Sequence, residues 1–189
     1  STHCISSAAS DVYKRQVEGG ECYYCDGDGI ATKMQNNEWF QTSIGYLYVK
    51  DGVVLKNCVE KIGDNWYGFM FDGRRYTDEE FSAYDKETGK NNFYRAKEDG
   101  TLCVNEWYNW YSDRHYYYGN EGKAYSGFQE VDGMRYYFSE SGERCQNMSI
   151  TVDGKNYYCK SDGTIIEFQG SGWICLLYTS DAADDMQCV

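Results

Sequence analysis

Apolar positions along this chain come in short aromatic clumps, and each clump is followed within a few residues by a glycine. The series runs Tyr46-Leu47-Tyr48 to Gly52, Trp66-Tyr67 to Gly73, Phe93-Tyr94 to Gly100, and Tyr116-Tyr117-Tyr118 to Gly122. It continues with Tyr136-Tyr137-Phe138 to Gly142 and Tyr157-Tyr158 to Gly163. Successive glycines lie 21, 27, 22, 20 and 21 residues apart. A fixed period of this size marks a repeat protein in which each unit is one small supersecondary element.

The unit is legible in its clearest copies. Val131 leads into Asp132-Gly133, a two-residue turn signal of the type I′ kind, and Tyr136-Tyr137-Phe138 returns. Ile150-Thr151-Val152, Asp153-Gly154 and Tyr157-Tyr158-Cys159 repeat the arrangement. Ile62 to Tyr67 and Trp110 to Tyr116 read as earlier copies. Each unit is therefore a short β-hairpin followed by a glycine-pinned turn. A lone two-stranded hairpin is marginal in water, whereas burying a large aromatic side chain contributes about 1.5–3 kcal/mol. The pattern predicts an all-β solenoid of stacked hairpin repeats of about 20 residues, held together by aromatics between neighbours. The stretch 74–92 lengthens one period. It is expected to be a longer inserted connection in which Asp78, Glu79 and Glu80, followed by Phe81 and Tyr84, form a helical turn ended by Thr88-Gly89. Residues 17–45 make a poorer first unit, with a turn at 26–29 and an anchor at Trp39-Phe40.

Composition supports a thin fold. The 189 residues include 20 Tyr and 20 Gly but no Pro. Tyr combines a large apolar face with a hydroxyl that can stay wet, which suits a structure with little deep interior. Mean hydropathy is −0.74, and no run approaches the ~20 apolar residues of a membrane span. The net charge of −12 and the lack of a Lys/Arg stripe argue against nucleic acid as a partner.

The ends break the pattern. Residues 4–16 and 176–189 carry no repeat signal, and the strings SDVYKRQ and LLYTSDAAD resemble translated sequencing-adapter read-through. They divide the chain into a foreign tail at 1–16, a repeat domain at 17–173 and a second tail at 174–189, with poor packing expected of both tails.

Catalytic and metal chemistry find no foothold in the residue pattern. Cys22 and Cys25 form a lone C-x-x-C without a second pair, which is weak support for a zinc site. Together with Cys58, Cys103, Cys145 and Cys159 they are expected to be mostly free thiols, with one or two cross-links. His115 is read as a hairpin-turn residue. Carboxylate pairs such as Glu79-Glu80 have no cleft across which to act as a glycosidase pair. The expectation is a chain that is not itself an enzyme, with no cofactor and no metal.

The stretches FQEVDGMRYYFSESG and ITVDGKNYYCKSDG resemble the cell-wall/choline-binding and glucan-binding repeats of Gram-positive surface proteins, and residues 92–110 are similar to a spacer of clostridial members. The resemblance covers about 22–173. It implies a non-catalytic module, a fragment of a larger secreted bacterial protein, that anchors its carrier at the cell surface to wall polysaccharide, glucan or choline-bearing teichoic acid. Choline-type repeats cage a quaternary ammonium between two Trp and a Tyr, a cation–π arrangement. Here Trp39, Trp110 and Phe128 stand before the hairpins, but Val59 and Ile150 take the matching places in other units. The return strands carry Tyr46, Trp66, Tyr116, Tyr136 and Tyr157, mostly Tyr where the cage prefers Trp. That departure favours a neutral glycan, on whose ring faces Tyr and Trp can stack. The candidate ligand-binding residues are Trp39, Trp66, Trp107, Trp110, Tyr116, Tyr117, Phe128 and Tyr136. Strand alternation sets Trp107 and Trp110 on opposite faces. The alternatives are a choline-binding module of the same architecture and a purely structural stalk with every aromatic buried.

Overall fold

The computed structural model describes residues 15–18, 21–26, 30–43, 45–86, 88–111 and 113–168. All regular structure among them is β, in antiparallel pairs. The chain falls into two compact units divided after Tyr125. The first contains β1 (Arg15–Glu18), β2 (Glu21–Cys25), β3 (Ala31–Met34), β4 (Trp39–Thr42), β5 (Gly45–Lys50) and β6 (Val53–Val54). It continues with β7 (Cys58–Ile62), β8 (Asn65–Phe69), β9 (Glu79–Asp85), β10 (Lys90–Ala96), β11 (Glu106–Trp110) and β12 (Arg114–Tyr118). The second unit holds β13 (Gly127–Val131), β14 (Met134–Phe138), β15 (Met148–Val152), β16 (Lys155–Cys159) and β17 (Ile165–Phe168). The hairpin-repeat fold expected from the sequence is the fold observed. Of the two segments read as foreign tails, only Arg15–Gln16 lie among the described residues, and they pair with β2.

The turns behave as their residues dictate. Asp132 and Gly133 take φ of 52° and 76°, and Asp153 and Gly154 take 51° and 75°, the left-handed pair that a type I′ hairpin requires.

The aromatic clumps have a simple mechanical meaning. Adjacent residues on a strand point to opposite faces, so an aromatic pair serves two neighbours at once. In hairpin β7–β8, Tyr67 and Phe69 face back to Trp39, with ring centroids 4.8 and 6.0 Å from it. Trp66 and Val59, on the other face, pack against a buried cluster of Tyr94, Ala96 and Leu102. Gly68 shares that second face, because a Cβ there would stand 2.1 Å from the Phe81 ring. A first cluster, of Cys22, Tyr24, Met34, Leu47, Val49 and Val54, fills the space around β2 to β6. In the second unit, Phe128 of β13 meets Tyr157 of β16 at 4.7 Å.

Backbone hydrogen bonds tie consecutive repeats of the first unit. The residue two places beyond Gly73, Gly100 and Gly122 donates its N–H to the preceding hairpin. Arg75 donates to the Tyr46 carbonyl at 2.8 Å, Leu102 to Trp66 at 2.9 Å, and Ala124 to Phe93 at 2.8 Å. The same residues also bridge back to their own hairpins, as Phe69 with Arg75, Ala96 with Leu102 and Tyr118 with Ala124. The Arg75 and Leu102 side chains then lie across the next turn glycine. A Cβ on Gly100 would fall 2.1 Å from Arg75 Nε, and one on Gly122 would fall 3.2 Å from Leu102 Cβ. With φ of 81° at Gly100, a side chain is excluded twice over, by conformation and by space.

Two expectations are corrected. Residues 78–85 do not form a helical turn. β9 alternates exposed and partly buried positions and pairs with β10 from Glu79–Ala96 to Asp85–Lys90. Phe81 and Ala83, two apart, pack on the same cluster, and that period of two outweighs the acidic start that suggested a helix. The period stretches to 27 because both strands of this hairpin are seven residues long. His115 is not a turn residue but lies on β12 opposite Asn109, whose Oδ1 is 2.7 Å from its Nδ1.

Candidate functional site

The hairpin pairing places Trp39 opposite Tyr48 and Gln41 opposite Tyr46, so all three rings share one face of β4–β5. Trp39 meets Tyr48 at 5.0 Å and 66° and Tyr67 at 4.8 Å and 68°, both edge-on. Into the resulting box comes Arg75. Its guanidinium carbon lies 4.9 Å from the Tyr46 ring, 5.3 Å from Trp39 and 5.9 Å from Tyr67. Its Nε is buried without a hydrogen-bond partner among the described residues. Three aromatic rings line this cation, and their quadrupoles offset part of its desolvation. The box is built for a positive charge and already contains one.

Arginines meet rings at three further places. On β10, Arg95 is buried and lies 5.0 Å from the Tyr108 ring and 5.7 Å from Trp110. In the second unit, Arg135 is exposed and covers Phe128 at 4.4 Å, while Arg144 lies 5.9 Å from Tyr136. Burial pulls the Arg144 guanidinium below its ordinary value.

The candidate residues are distributed as follows. Trp39 forms the wall of the Arg75 box. Trp66 packs against the apolar cluster of Tyr94, Ala96 and Leu102. Trp107 and Tyr117 stand opposite each other on β11 and β12, with centroids 5.2 Å apart, and Tyr117 continues to Tyr125 at 5.0 Å. Trp110 turns to the other face beside Tyr108 and Tyr111, as the alternation of an unbroken strand demands. Tyr116 lies across from Tyr108. Phe128 touches Tyr137 at 4.9 Å as well as Tyr157. Tyr136 is buried, 5% exposed, beside Phe138. The structure thus brings together Trp107 with Tyr117, and leaves Trp39, Trp110 and Phe128 in separate clusters.

The arginines escaped sequence reasoning. Their signal was positional: Arg75 stands two residues past Gly73, and Arg135 directly before Tyr136-Tyr137.

The thiols are quiet. Cys22, Cys58, Cys103, Cys145 and Cys159 are free, and Cys25 is disulfide-bonded. Burial pushes Cys103 and Cys159 up to about 11, which suppresses the reactive thiolate at neutral pH. Among the described residues, no group of three or more His, Cys, Asp or Glu is placed to hold a metal ion. Burial also raises Glu80, against the pull of Arg95 and Arg114.

Two-sided hairpins with ring clusters between them define an all-β repeat module. The comparisons with known proteins agree. The chain is 27% identical over 150 residues to glucosyltransferase-S of Streptococcus mutans, covering 77% of this chain and 9% of that protein. It is 27% identical over 147 residues to glucosyltransferase-I of Streptococcus downei, again spanning 9% of the relative's length. Among solved structures, the choline-binding domain of CbpL from Streptococcus pneumoniae is similar at 25% identity and a TM-score of 0.54, over 84% of this chain and 87% of that one. Choline binding protein F from Streptococcus pneumoniae shares the fold at a TM-score of 0.58 and 20% identity, over 82% of this chain and 52% of that one. No family model matches the chain. The repeats of this chain are similar to those of the cell-wall/choline-binding and glucan-binding type.

Proposed function

We propose that this chain is a non-catalytic carbohydrate- or cell-wall-binding repeat module of a larger secreted bacterial protein, which it anchors at the cell surface. The observation that carries this reading is the repeated presentation of half-buried aromatic rings, each braced by a second ring about 5 Å away: Trp39 by Tyr48 and Tyr67, Trp107 by Tyr117, and Phe128 by Tyr137 and Tyr157. Rings held in this way offer flat apolar faces that lose little freedom on binding, which suits the apolar side of a sugar. One such contact is weak, but a polymer that engages several repeats gains by effective concentration. The partner is a wall polysaccharide or glucan. Any catalysis belonging to the whole protein is left to segments outside these hairpins.

A second reading, choline recognition, is favoured by the Trp39–Tyr46–Tyr67 box and the likeness to the CbpL domain. Arg75 stands against it, because the cation position in that box is taken. Calorimetry with dextran, purified peptidoglycan and choline separates the two. Heat with a glycan but not with choline supports the first reading. Millimolar choline binding with tryptophan quenching supports the second, and no heat with any of the three rejects both.

A further inference from the structure

Hairpin β11–β12 ends in an unusual residue. Tyr111 follows β11 with φ of 57° and is 80% exposed, its ring edge-on to Trp110 at 5.9 Å. A bulky side chain in left-handed backbone is a cost, and an aromatic ring left in water forgoes the stabilisation that burial would bring. Packing therefore accounts for neither feature.

The neighbours of Tyr111 complete a site. Arg95 is held under Tyr108 and Trp110, and its Nη2 donates to Asp78 Oδ1. Asp78 takes left-handed backbone as well, at φ 50°, and keeps 67% of its side chain in water. The pair thus has a buried cation and a solvent-facing carboxylate. With Tyr108, Asn109, Trp110 and Tyr111 it lines an open depression of about 360 Å³.

We infer that this depression is a subsite for one sugar ring of a neutral glycan. The inference rests on the glycan-binding reading above and names where on the first unit a sugar sits. The apolar face of the ring stacks on Tyr111 and the edge of Trp110. Adjacent hydroxyls donate to the Asp78 carboxylate and accept from the Arg95 guanidinium, a donor and an acceptor side by side. Arg95 is fixed in advance by Asp78 and the two rings, so little ordering remains at binding. Two facts disfavour an anionic ligand. The Asp78–Arg95 pair carries no net charge, and the chain as a whole, at −12, repels polyanions. The volume lies at the low end of the ~300–1,000 Å³ typical of ligand sites, enough for a single residue of a polymer.

Tyr111→Asn tests this in the full chain, because Asn tolerates left-handed backbone better than Tyr. Binding is read by affinity electrophoresis and calorimetry against dextran, β-1,3-glucan and purified peptidoglycan, and folding by the thermal midpoint. The expected result is about a tenfold loss of affinity for the glycan the unaltered chain binds, with a midpoint unchanged or raised. A retained affinity would overturn the subsite and leave the glycan reading to the Trp107 and Phe128 clusters. A fall in the midpoint would make the ring a packing element and also overturn it. An unaltered chain that binds none of the three glycans would remove both the subsite and the reading beneath it.

Discussion

Two junctions in the first unit share a backbone pattern and differ in the side chains that meet across it. Where β7–β8 stacks on β4–β5, the residue two beyond the turn glycine is Arg75. Where β9–β10 stacks on β7–β8, it is Leu102. Both donate an N–H to the preceding return strand, to Tyr46 at 2.8 Å and to Trp66 at 2.9 Å. Both lay their side chains across the next turn glycine. Leu102 is 2% exposed and joins Tyr94 and Ala96 in a buried apolar cluster against which the partly buried Trp66 packs. Arg75 instead stands among Trp39, Tyr46 and Tyr67, and Tyr46 remains 38% exposed. One scaffold therefore yields a sealed apolar seam or a cation-filled aromatic box. Which it yields depends on the residue supplied by the following repeat, because that side chain decides whether the rings around it meet carbon or charge.

The contrast is open to three tests. Leu102→Ala is expected to cost about 2–5 kcal/mol, the range for emptying a sealed apolar site, read by denaturant unfolding of the full chain. A loss below about 1 kcal/mol would mean that the seam is not the core it looks to be.

Cys103, next to Leu102 in sequence, is also buried, and burial pushes its thiol from 9.0 up to about 11. The native state favours the protonated form, so this contribution is complete below the unfolded thiol value and is lost as pH rises toward 11. Stability should fall by about 1–2 kcal/mol across that window. Cys103→Ala should flatten that part of the pH profile, and an unaltered slope would assign the fall to other groups.

Arg75→Met is expected to change stability least, by about 1 kcal/mol, since an apolar chain of similar length replaces a partly desolvated cation. Its effect lies in binding. The vacated box should take up choline, read as quenching of tryptophan fluorescence that the unaltered chain does not show. Equal responses from both proteins would mean that Arg75 does not occupy the box in solution.

Much of the hairpin architecture was readable in advance. Asp132-Gly133 and Asp153-Gly154 announced type I′ turns because left-handed backbone strongly favours such residues, a local rule that needs no knowledge of the fold. The separation of Trp107 from Trp110 followed from strand alternation for the same reason. The stretch from Asp78 to Asp85 misled, because three acidic residues and a ring resemble a helix start, whereas the pairing of Phe81 with Tyr94 and its packing beside Trp66 are non-local. Around Arg75 and Arg95 the candidate list named Trp39 and Trp110, but neither the arginines nor Tyr48, Tyr67, Tyr108 and Tyr111 beside them.

The repeat period, the turn positions and the two-faced aromatic pairs were determined by the sequence alone, since each rests on geometry within a few residues. Tertiary structure decided what each ring meets. Trp39 and Trp66 are both partly buried in neighbouring units, yet one lines a charged box and the other packs against an apolar cluster. Their difference comes from residues some 36 positions further along, Arg75 and Leu102. No local pattern reports that choice, because burial is a property of the neighbours that stacking brings into contact.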